Sequence, residues 1–141
     1  MPVRRQPYLA LVIALFAAAL TSCATNPPDP GRVLLAITVT PATADAATYP
    51  NGQVTFTAAG TFSVAPTPAP LPSTAPYSGQ FFVANPTNPP MAIATIIATG
   101  NSTATVQCSP GVSGIVQVVA SGSANNSTST VITGSAQLTC P

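Results

Sequence analysis

Charge is what this sequence has least of. Among its 141 residues only Arg4, Arg5, Asp29, Arg32 and Asp45 are charged, and nothing from Ala46 to Pro141 carries a formal charge. Lys, Glu, His and Trp are absent altogether. A formal net charge of +1 cannot neutralise the phosphates of a nucleic acid, so no nucleic-acid partner is expected. General acid–base catalysis needs His, Glu, Asp or Lys beside the reacting atom. Serines are plentiful, but no His base exists, and Asp29 and Asp45 precede most of the chain. Phosphate-cradling loops, paired carboxylates and a calcium ligand set are also missing. The chain therefore reads as non-enzymatic, with no cofactor and no metal. What it does have is 17 prolines in a background rich in Thr, Ser and Ala, at a length that suits one domain.

The amino-terminal segment is an address. Arg4 and Arg5 precede an apolar run from Tyr8 to Leu20. That run is long enough for a signal-peptide core and short of the ~20 residues that cross a bilayer. A buried core helix is the bland alternative, which the paired arginines and the small residues beyond the run disfavour. Leu20-Thr21-Ser22-Cys23 resembles the bacterial lipobox, in which an aliphatic and two small residues precede an obligatory cysteine. The resemblance implies cleavage after residue 22, diacylglyceryl transfer to Cys23 and attachment to a membrane through lipid. Each buried methylene of such an anchor contributes ~0.8 kcal/mol, and two chains suffice for stable attachment. Ser22-Cys23-Ala24 also fits the small-x-small site of ordinary signal peptidase, which would release a soluble protein instead. The resemblance places the protein at the cell envelope, and on the outer membrane if the cell has two, because Ala24 is not an acidic retention signal.

Cysteine arithmetic follows from that assignment. Three cysteines are an odd number for an exported chain; giving Cys23 to lipid leaves Cys108 and Cys140 as a pair in an oxidising compartment. A disulfide between them closes a loop of roughly 33 residues, for which the chain-entropy relation gives about 3.7 kcal/mol. Zinc is the alternative, but two cysteines with neither His nor a nearby carboxylate cannot complete a tetrahedral shell.

Residues 23–32 carry the sequence Cys-Ala-Thr-Asn-Pro-Pro-Asp-Pro-Gly-Arg and read as a semi-extended tether. From residue 33 to 141 a period of two dominates. Val33, Leu35, Ile37 and Val39 share one face of a first strand that Pro41 ends. Pro50-Asn51-Gly52 marks a turn, after which Val54, Phe56 and Ala58 alternate with Thr55 and Thr57 in a strand extending toward Phe62. Further strands are expected over Gln80–Ala84, Ala92–Thr99, Thr103–Cys108, Ile115–Ala120 and Val131–Cys140, with a loop at Asn125-Asn126-Ser127. About seven short strands without a convincing helix make an all-β sandwich the expected fold. Cys108 is in phase with Val106, and Cys140 with Leu138, so both should point inward.

Ile37-Thr38-Val39-Thr40-Pro41-Ala42, Gly52-Gln53-Val54-Thr55-Phe56-Thr57-Ala58, Ala104-Thr105-Val106 and Gly114-Ile115-Val116-Gln117-Val118 resemble segments of bacterial Ig-like repeats of the group-2 kind. The resemblance implies an Ig-like sandwich and a structural or adhesive module. It departs at the centre, where Phe81-Phe82-Val83-Ala84 replaces a tryptophan-bearing strand behind a proline-rich insertion at 65–76.

Two stretches are candidate binding features. Five prolines across residues 65–76 favour polyproline II, which aromatic grooves recognise; the plainer reading is a stiff surface loop. Tyr77, Phe81 and Phe82 are candidate ligand contacts for a glycan or protein partner. Phe81 and Phe82 are adjacent in a strand, so one must face outward unless a loop covers it. Asn101-Ser102-Thr103 and Asn126-Ser127-Thr128 match glycosylation sequons, which a chain rich in Ser, Thr and Asn produces by chance.

Overall fold

The computed structural model describes residues 31–85, 91–125 and 130–141. The leader, Cys23 with its lipobox, tether residues 23–30 and Asn126-Ser127 lie outside the described residues. Alternation sets the main strands: β1 (Leu34–Thr40), β3 (Gln53–Phe62), β5 (Gln80–Ala84), β6 (Ala94–Thr99), β7 (Thr103–Cys108), β8 (Gly114–Ser123) and β9 (Val131–Cys140). Short strands β2 (Thr43–Asp45) and β4 (Ala69–Pro70) supplement them. One sheet runs β1-β3-β7-β6 with β4 added to β3, and the other runs β2-β9-β8-β5. With β1, β3, β5, β6, β7, β8 and β9 taken as strands A to G, this is the ABED/CFG order of an immunoglobulin-type sandwich. The expected all-β sandwich is the observed fold.

The inward faces of the two sheets form an apolar core. Val54, Phe56 and Ala58 of β3 oppose Val116, Val118 and Ala120 of β8, with Val106, Ala136 and Leu138 beside them. No polar or charged residue is buried among the described residues. The outward faces are hydroxylic: Thr55 and Thr105, directly opposite in register, share a hydrogen bond at 3.0 Å.

The chain changes sheets just after Pro41. There β1 stops pairing with β3 and β2 begins parallel pairing with β9. This crossing brings β1 so close to β9 that a Cβ on Gly134 would stand 2.2 Å from the Ile37 carbonyl oxygen. Only glycine fits there, and the β1/β9 side of the sandwich is thereby closed. The turn before β3 uses Asn51 (φ 57°) and Gly52 (φ 64°), as the turn signal in the sequence led one to expect.

The first strand corrects one expectation. Alternation puts Leu35 on the same face as Ile37 and Val39, yet it is 56% exposed and Leu34 is buried instead. A register shift between Leu34 and Ala36 is the cause: the extra residue reverses the phase upstream of Ile37 while leaving Ile37 and Val39 inward. Arg32, assigned to the tether, is fastened to the domain. Its guanidinium lies 3.7 Å from the centroid of the Phe62 ring, and it donates to the carbonyls of Val64 (3.1 Å) and Pro66.

On the opposite side, where β5 and β6 are the edge strands, one side chain links the two. Asn85 Oδ1 accepts from the backbone N–H groups of Ile93 (2.9 Å) and Ala94 (3.2 Å), while its Nδ2 donates to the Ala94 carbonyl (3.0 Å). Ala94 is fully buried, so water does not replace the lost partner of its backbone groups if the amide is removed. Asn85→Ala is expected to cost about 2 kcal/mol in urea unfolding, with Asn85→Asp intermediate because a carboxylate keeps the acceptor and loses the donor.

Candidate functional site

The β5 and β6 edges, joined at Asn85, separate toward Gln80 and Thr99. The gap is an open cleft of about 570 Å³, lined by Leu71, Ser73, Gln80, Phe81, Thr99 and Asn101 among others. The proline-rich insertion closes its far side. Ser73 donates to Asn101 Oδ1 from both its hydroxyl (2.9 Å) and its backbone N–H (3.2 Å), tying the insertion to the β6–β7 turn.

That insertion is neither a polyproline II helix nor a simple surface loop. Ala69 and Pro70 pair with Gly60 and Ala59 of β3, and the Leu71 N–H donates to the Ala58 carbonyl at 3.0 Å. These bonds turn Leu71 inward, where it is 1% exposed and belongs to the core. Leu71 is the one large aliphatic residue in a stretch of Pro, Thr, Ser and Ala, and that singularity was its signal in the sequence.

The three aromatic candidates separate. Tyr77 does not meet the surface: it is 2% exposed, packs edge-on against Phe62 with ring centroids 5.0 Å apart, and its hydroxyl donates to the Arg32 carbonyl at 3.0 Å. Its ring supports the core and leaves a ligand almost no surface to touch at Tyr77. Phe81 is half-buried, packs against the core and forms part of the cleft wall. Phe82 points the other way and is 46% exposed on the outer face, opposite Val119 of β8. The adjacent-residue argument thus gives one inward and one outward ring. Gln80, Thr99 and Ser73 were not anticipated as neighbours of Phe81, since nothing in the sequence spacing shows that the insertion folds back over β5.

Cys108 of β7 and Cys140 of β9 stand at disulfide distance, with Cα atoms 5.6 Å apart, and join the two sheets. In the A-to-G scheme this links strands E and G, whereas antibody domains link B and F. Cys140 is buried beside Leu138, in the phase the alternation implied.

Chemically the cleft offers amide and hydroxyl groups, one aromatic ring and aliphatic surface. None of its lining residues carries an acid, a base or a thiol. No group of three or more metal-ligating side chains occurs among the described residues. Their charged side chains, Arg32 and Asp45, are both committed elsewhere: Arg32 to the insertion, and Asp45 Oδ1 to the Ala47 N–H at 3.0 Å. No family model, curated protein or solved structure matches the chain.

Proposed function

We propose that this chain is a lipid-anchored cell-envelope protein displaying a non-catalytic, Ig-like structural or adhesive module. The observation that carries the reading is Leu20-Thr21-Ser22-Cys23 placed directly behind Arg4, Arg5 and the apolar run from Tyr8 to Leu20. By its resemblance to the lipobox, Cys23 becomes the first residue of the mature protein and carries the acyl chains. The side-chain balance of the mature protein is then −1, from Arg32 against Asp29 and Asp45.

The attachment of Arg32 to the insertion supports display of a firmly seated domain. The tether enters the fold where Arg32, Phe62 and Tyr77 are packed together, so a pull on the anchor reaches the core rather than a loose end. The group-2 Ig-like resemblance belongs to the same proposal. A glycan- or peptide-binding role is the second reading, favoured by the uncharged cleft beside Phe81. A role as an accessory subunit of an envelope complex would use the same surfaces.

Metabolic labelling with a palmitate analogue tests the anchor. Label is expected in the native chain and in the membrane fraction, and none in Cys23→Ser, which should accumulate unlabelled and uncleaved. Equal labelling of the two forms, or release of unlabelled native chain in soluble form, overturns the reading.

A further inference from the structure

The end of the sandwich where the chain enters has an apolar surface. Separate segments meet there through backbone hydrogen bonds. The Leu34 N–H donates to the Ala124 carbonyl at 2.8 Å, and the Ala124 N–H donates to the Thr130 carbonyl at 3.0 Å. Beside them the Ser63 N–H donates to the Val33 carbonyl at 2.9 Å. Leu35, Val64 and Val131, each next in sequence to a residue of this junction, are all exposed aliphatic side chains. Exposed apolar groups gathered at one place mark a surface that meets an apolar partner. Residues 63–68, which adjoin them, are exposed and uncharged. The described charge at this end is Arg32, which is spent on the Phe62 ring and the Val64 carbonyl. Asp45 lies at the other end, opposite Thr139 near the close of β9.

We propose that this end of the sandwich rests on the lipid leaflet that holds Cys23, with Leu35, Val64 and Val131 touching the bilayer interface. The inference deepens the anchored-module reading and rests on it. Tether length selects the occupant. Gly31, the first described residue, is eight residues beyond Cys23, a span of at most about 28 Å when fully extended. β8 and β9 have ten residues each and are about 33 Å long. The tether is therefore too short to turn the far end onto the leaflet, although Ile115 is exposed there as well. The clasp of Arg32 on Phe62, at the point of entry, keeps slack from lengthening that reach. A short tether makes the near-end contact effectively intramolecular, so a few aliphatic side chains suffice where a free domain would need many. In the sequence Asp29 offsets Arg32, so the contact is apolar rather than ionic and needs no anionic lipid.

The sequence has no tryptophan, so a single introduced one reports its own site. The lipid-bearing full chain, isolated from the envelope in detergent, is reconstituted into phosphatidylcholine vesicles as Leu35→Trp, Val131→Trp or, at the far end, Ile115→Trp. Vesicle flotation reads the anchor separately. Brominated phosphatidylcholine should quench the Leu35→Trp and Val131→Trp emission at least about twofold and leave Ile115→Trp unchanged. Adding anionic phosphatidylglycerol should alter neither result. In the Leu35→Trp chain, Val64→Asp with Val131→Asp should cut the quenching to less than about half, because carboxylates keep to water. Cys108 and Cys140 resisting alkylation without reductant confirms that each variant is folded. Variants that do not float overturn the anchored reading and this inference together. Flotation without quenching at 35 and 131, equal quenching at 115, or quenching only with anionic lipid overturns this inference alone. A blue-shifted emission that brominated lipid leaves unquenched means that protein covers the patch, and it too overturns the proposal.

Discussion

Replacing Leu71 by alanine should cost about 3 kcal/mol in urea unfolding, within the range for deleting a buried leucine side chain. The residue sits in a stretch whose composition suggests a dispensable surface loop, for which the same substitution would cost less than about 0.5 kcal/mol. The difference arises because Leu71 is 1% exposed and meets the core from the side where β5 and β6 do not pair. On that side no strand fills the space between the sheets, and the insertion supplies a single side chain to do so. Its backbone is held in place by the Ala59–Pro70 pairing and by the Leu71 N–H to Ala58 bond. Leu71→Met, which conserves volume, should cost less than about 1.5 kcal/mol. Pro72→Ala at the adjacent half-buried position serves as the control for a general effect on the insertion.

The second large effect is expected at the Cys108–Cys140 bridge. Cys108→Ala/Cys140→Ala should lose about 3.7 kcal/mol of stability relative to the oxidised native chain, by the chain-entropy relation for this loop. Reduction of the native chain should lower its urea midpoint by a similar amount. The bridge matters more here than in a sandwich with a heavier interior. Many of the inward positions are alanine (Ala46, Ala58, Ala94, Ala104, Ala120 and Ala136), which bury little apolar area apiece. It also fastens β9 to the opposite sheet at the end of the chain, where the last strand would otherwise depend on β8 and three residues of β2 for its pairing.

Strand positions were legible wherever a polar face opposed an apolar one. Thr55 and Thr57 against Val54, Phe56 and Ala58 defined β3, alternation likewise placed Thr103–Cys108, and the short apolar run Gln80–Ala84 is also a strand. Alternation carries phase only while register holds, and this is why Leu35 misled: the shift beside it has no compositional mark. The segment 65–76 conceals its role for a different reason. Proline content reports local stiffness but not where the stiff segment docks, and the docking is decided by one leucine and a two-residue strand. Tyr77 was hidden similarly. An aromatic after a proline run looks like a surface residue until Phe62 and the Arg32 carbonyl are seen to close around it. The cleft was illegible because its walls come from three separate segments, none of which carries a recognisable ligand motif.

The central claim is that a charge-poor sandwich, locked by one disulfide, is held in the envelope through Cys23. Intact mass measurement of the unreduced chain isolated from the envelope fraction tests it most directly. The account predicts a mature chain beginning at Cys23, heavier than its polypeptide by a diacylglyceryl group, with Cys108 and Cys140 resisting alkylation until reductant is added. A chain that begins beyond Cys23, or carries no lipid mass, or has both later cysteines alkylated without reduction, would contradict it.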